Sequence, residues 1–86
     1  MESRTAGFNP GQIVRTVAGR EAGERFMVVG LDERFLLLAD GRKRLVNRPK
    51  RKNPCHVRLL REAYGPWGTL TDERIRQALR RVEEES

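Results

Sequence analysis

The sequence predicts a small, mainly β barrel with one α-helix at its C-terminal end. Three observations carry this. Residues 13–39 contain three short apolar runs, several rich in β-branched residues, separated by charged or glycine-bearing breaks. The runs between Phe26 and Ala39 are apolar at successive positions, so both faces of their sheet need cover. Ile75, Ala78, Leu79 and Val82 then recur at helical spacing, which makes one apolar stripe on an amphipathic helix. One sheet face is expected to line a barrel interior, and the helix is expected to cover part of the other.

At 86 residues the chain holds one domain, with a core that must be thin. Met1 to Pro10 is polar, contains Gly7 and Asn9-Pro10, shows no periodicity, and is expected to be a flexible arm. The barrel is expected over residues 11–62. Gly11-Gln12 opens a first strand, Ile13 to Val17. The segment AGREAGER, Ala18 to Arg25, places Gly19 and Gly23 around a charged turn. Phe26 to Leu31 is the second strand, Asp32-Glu33-Arg34 a polar break, and Phe35 to Ala39 the third strand.

Asp40-Gly41 is a two-residue hairpin signal, because a type I′ turn needs positive φ at both central positions. That turn would pair Ala39 with Arg42, Leu38 with Lys43, Leu37 with Arg44, Leu36 with Leu45 and Phe35 with Val46. Leu36, Leu38, Lys43 and Leu45 would then share one face. Beyond lie an extended basic run, Arg48 to Lys52, an Asn53-Pro54 break and a fifth strand over His56 to Leu60. A loop at 63–70 carries Gly65-Pro66-Trp67-Gly68, and the helix spans 71–86. Thr71 is its expected N-cap, with Asp72 and Glu73 at the positive end of the dipole and a Leu70–Ile75 staple. Glu83-Glu84-Glu85 oppose the dipole, so the last turn is expected to fray.

Charge points to a polyanion. The chain carries 18 Lys+Arg against 12 Asp+Glu, a formal charge of +6, and fifteen of the eighteen are Arg. Arg offers a planar fork of donors suited to phosphate. From residue 42 to residue 58 there are eight basic residues and no acid: Arg42, Lys43, Arg44, Arg48, Lys50, Arg51, Lys52 and Arg58. Arg20 and Arg25, in or beside the first loop, make a second patch, and Arg15 on the first strand is a further candidate contact. Such segregation produces a positive lobe, and phosphate neutralisation there releases counterions. Tyr64 and Trp67 flank Gly65-Pro66, where either packing on the domain edge or stacking on a base suits them.

Other chemistries have little footing. Cys55 and His56 are the sole Cys and His, too few to complete a zinc site or a disulfide. Asp40 suits its turn for backbone reasons, Asp32-Glu33 have no His beside them, and no Walker-type loop follows Gly19 or Gly23. No enzyme activity, metal or cofactor is expected. With no apolar run near ~20 residues and no secretory segment in MESRTAGFNP, a cytoplasmic protein without a membrane contact is expected.

The order of features carries a resemblance. Gly11-Gln12-Ile13-Val14, then Ala18 through Val29, then Leu38-Ala39-Asp40-Gly41-Arg42, resembles a KOW motif. Pro49-Lys50-Arg51-Lys52 and Leu70 to Leu79 extend the likeness to the small bacterial KOW-domain RNA-binding proteins. These are related to KOW-type proteins of the archaeal and eukaryotic large ribosomal subunit. The likeness covers roughly residues 11–80 and departs from the pattern at Gly65–Gly68. It implies an SH3-like β-barrel, ribosomal or other structured RNA as ligand, possible association with the large ribosomal subunit, Gly23 as the motif glycine, and the Gly19–Arg25 loop as an RNA contact. A monomer is expected. Two other readings stay open: a protein-interaction module of a translation or transcription complex, with the helix docked on a partner, and a DNA-binding protein.

Overall fold

β-branched and aromatic residues cluster in the first two strands and leucines in the third, and all five strands join a single sheet. The computed structural model describes residues 5–20, 22–62 and 70–85. Its strands are β1 (Ile13–Thr16), β2 (Arg25–Leu31), β3 (Leu36–Ala39), β4 (Lys50–Lys52) and β5 (Val57–Arg61), and its helix is α1 (Asp72–Glu85). The sheet order is β4-β3-β2-β1-β5, with every neighbouring pair antiparallel. Four strands thus run as a meander. A short 3₁₀ turn, Pro54–His56, then carries the chain round so that β5 lies beside β1. Asn53 caps that turn by accepting from the Cys55 N–H.

The two-sided apolarity of residues 26–39 is explained by two cores. On one face Val14, Phe26, Val28, Leu36, Leu38 and Val57 pack together. On the other, Ile13, Met27 and Ala39 meet Ile75, Ala78 and Val82 of α1. The helix therefore covers the sheet as its stripe predicts. Thr71 caps it: its hydroxyl accepts from the Arg74 N–H and its carbonyl from the Ile75 N–H. Leu70 packs against the cluster that holds Ile75. The helix continues to Glu85, past the turn expected to fray.

Two expectations are corrected. Residues 5–10 do not hang free as part of an arm. Thr5 is 1% exposed and its hydroxyl donates to the Asp32 carbonyl, while Phe8 packs against the cluster that holds Val14 and Phe26. Gly7, with φ +93, and the bond from the Asn9 N–H to Gln12 Oε1 turn the segment back onto the sheet. An apolar ring at Phe8 outweighs the surrounding polar composition, because the thin core gains from any cover.

The second correction concerns Asp40-Gly41. β3 does not pair with residues 42–46; it pairs with β4, in the register Leu36↔Lys52, Leu37↔Arg51, Leu38↔Lys50. No described residue other than glycine has positive φ, so Asp40 cannot supply the first position of a type I′ turn. Instead its carboxylate accepts from the Arg42 and Arg44 N–H groups, and the Arg44 carbonyl accepts from both Asp40 and Gly41. The result is a wide loop, residues 40–49, folded under the start of α1. There Val46 joins the helix-side cluster, and its N–H donates to the Asp72 carboxylate at 2.8 Å.

Candidate nucleic-acid interface

The topology brings two loops, the second of them strongly basic, to one end of the sheet. The β1–β2 loop (17–24) and the β3–β4 loop (40–49) both leave from that end, since β1 and β3 run in the same direction. The first loop is drawn tight where the Gly23 N–H donates to the Thr16 carbonyl at 2.6 Å and the Thr16 N–H to the Glu24 carbonyl. Gly23 has φ +91, a conformation that side chains with a Cβ rarely take. Beside it lies Arg15, whose Nη2 is 3.7 Å from where a Cβ on Gly23 would stand.

Between these loops and the outer flank of α1 runs a groove of about 450 Å³, lined by residues that include Arg25, Arg42, Lys43, Arg76, Arg80 and Leu79. Among the described residues that line it, five side chains are cationic, against Glu24, Asp40 and Glu83. The Asp40 carboxylate is already engaged by backbone N–H groups. Arg76 holds the groove together: its guanidinium donates to the Gly41 carbonyl at 2.5 Å, tying helix to loop. Arg80 lies one turn further along on the exposed flank.

The expected contact residues are distributed unevenly. Arg25, Arg42 and Lys43 meet in the groove. Arg15 and Arg58 stand in cross-strand register with each other, and Arg15 with Arg25. Arg20 is exposed on the first loop, and Arg48 on the second. Arg44 is half-buried, its backbone bound to Asp40. Arg51 lies elsewhere, stacked over Phe35 with its Cζ 5.8 Å from the ring centroid. It also faces Asp32, whose carboxyl is held below its ordinary value of 3.8, chiefly by hydrogen bonds from the Phe35 and Arg34 N–H groups. Lys50 and Lys52 are half-buried, and the Lys52 ammonium donates to the Ala18 carbonyl at 3.0 Å. That bond links β4 to the first loop.

Arg76 and Arg80 were not among the expected contacts. The signal for them is their i, i+4 spacing, each one position beyond an apolar residue of the stripe, which sets both on its flank. Tyr64 and Trp67 lie outside the described residues. Among the described residues no three His, Cys, Asp or Glu side chains cluster as a metal site, and no helix is long and apolar enough to cross a membrane. No protein-family model matches the chain, and no curated protein matches it.

Proposed function

We propose that this chain is a non-enzymatic RNA-binding module of the SH3-like, KOW type, which docks on ribosomal or other structured RNA through phosphate contacts. The observation that carries the reading is the groove, where the start of β2, the 40–49 loop and α1 bring five cations of the described residues together at one end of the sheet. Charge that is merely solvated has no reason to converge from three elements. The meander, the 3₁₀ turn and the return of β5 to β1 suit a small SH3-like barrel with an inner and an outer core. In this reading the basic end of the barrel faces the RNA, within a cytoplasmic ribonucleoprotein such as the ribosome.

The expected outcome is that Arg42→Gln with Lys43→Gln does not lower the melting temperature, because both side chains are exposed and belong to the excess of cations. Binding to ribosomal RNA fragments should weaken, with the slope of log K against log salt flatter by about 0.9 per lost phosphate contact. Wild-type affinity that ignores salt between about 50 and 200 mM sinks the phosphate account.

A protein-interaction reading has one observation in its favour. Among the described residues no strand pairs with the outer edge of β5, and β5 carries the exposed Leu59 and Leu60. The version in which α1 docks on a partner loses its motive, since Ile75 is fully buried against the chain's own sheet. Leu59→Thr with Leu60→Thr separates the two readings: an RNA module keeps its affinity, whereas a module that works through β5 loses its protein partner.

A further inference from the structure

Three arginines stand in one row across the sheet. Arg15 is the cross-strand partner of Arg25 on β2 and of Arg58 on β5. Directly opposed residues point to the same face, so the three guanidinium groups leave the sheet together, with adjacent strands about 4.8 Å apart. Like charges at such positions repel, and a sheet selected for stability alone would place Thr or a carboxylate among them. The face is the one that carries Ile13 and Met27, so the row lies just beyond the cover of α1. At its β2 end the row runs into the groove, because Arg25 belongs to both.

We propose that one phosphodiester strand crosses β5, β1 and β2 over Arg58, Arg15 and Arg25 and then enters the groove, where Arg80 on the helix closes over it. This rests on the RNA-binding reading and narrows it: the ligand is an unpaired strand of the RNA, and α1 is a wall of its binding track. A groove of about 450 Å³ is the size of a small-ligand cleft. Walled by α1 on one side and the 40–44 loop on the other, it takes a single backbone and not both strands of a duplex. Among the described residues the acids lining the groove are Glu24, Glu83 and Asp40, the last with its carboxylate taken by the Arg42 and Arg44 N–H groups. They set its edge and leave the row on β1 and β5 uniformly cationic. Among the described residues no aromatic side chain stands in the row or lines the groove, so the contacts they offer the strand are to its backbone.

The test uses the full chain and a fluorescent polyuridylate of about 12 nucleotides, a length within the range that a small single-strand-binding domain covers. Anisotropy should show the single strand bound more tightly than a duplex of equal length. Arg15→Gln and Arg80→Gln should each weaken binding about eightfold at about 50 mM salt, the value of one contact whose salt slope is about 0.7. Arg34→Gln, at the opposite end of the sheet, should change nothing. The deoxy 12-mer should bind equally, and a strong preference for ribose overturns the backbone-only account.

Stability gives a second readout. Arg15→Gln should raise the melting temperature by roughly 1–6 °C at low salt, by relieving the repulsion along the row. A lower melting temperature would mark Arg15 as a structural partner and remove it from the track. If Arg42→Gln with Lys43→Gln impairs RNA binding while Arg15→Gln and Arg80→Gln do not, the track is wrong and the RNA reading stands. If the wild type binds neither single strand nor ribosomal RNA, both fall.

Discussion

Gly41 sits where three requirements meet. Its φ of +78 belongs to the left-handed region, and a Cβ there would run into the Asp72 carbonyl oxygen and stand 2.8 Å from Arg76 Cγ. The same residue offers the carbonyl that Arg76 holds. Gly41→Ala therefore combines left-handed strain with overpacking against a helix backbone that cannot yield without lifting α1. A loss of about 2–5 kcal/mol is expected, measured by urea unfolding. Gly7→Ala, at a similar φ but with open space around the new methyl, should cost only the conformational part. Equal losses at the two sites would show that the helix contact contributes nothing. The need for glycine after Asp40 was legible from the dipeptide. Its reason was not, because Gly41 is required by a helix more than thirty residues downstream and not by a two-residue turn.

At the level of elements, local pattern predicts what each segment is and tertiary packing decides what it pairs with. β1, β2, β3 and α1 follow from short apolar runs and helical spacing, and they lie within a residue or two of their expected bounds. The partner of β3 did not follow. Val46 and Gly41 are taken by α1, which pulls residues 40–49 away from the sheet edge and leaves Lys50–Lys52 to fill it. The candidate site divides the same way. Arg25, Arg42 and Lys43 were visible as charge, whereas Arg76 and Arg80 enter the groove only because the helix docks on the Ile13, Met27 and Ala39 face. That docking is open to test at Ile75, which is fully buried at its centre. Ile75→Ala should cost about 2–5 kcal/mol and Ile75→Val about 0.5–1.5 kcal/mol. With the milder variant, hydrogen exchange should quicken in α1 before it quickens in β1 and β2, and RNA affinity should fall with it. Uniform acceleration across sheet and helix would mean that the two unfold as one unit.

For the whole molecule the governing quantity is charge confined to a small volume. The chain measures 35 × 28 × 23 Å along its principal axes and carries a formal charge of +6. The screening length is about 30 Å at 0.01 M salt and about 8 Å at 0.15 M. At the lower salt nearly every charge therefore feels every other, and the excess of cations opposes the compact state. At the higher salt only neighbours interact, and the long-range repulsion is removed. The melting temperature of the free protein should accordingly rise between these two conditions. The stabilisation conferred by bound RNA should run the other way, since a ligand adds RT ln(1 + [L]/Kd) and Kd climbs steeply with salt. The two melting curves, with and without RNA, are expected to converge as salt increases. A free-protein melting temperature that falls with salt would mean that attractive ion pairs outweigh the excess positive charge. In that case the cations at the basic end are held by the protein's own acids and are not open to a polyanion.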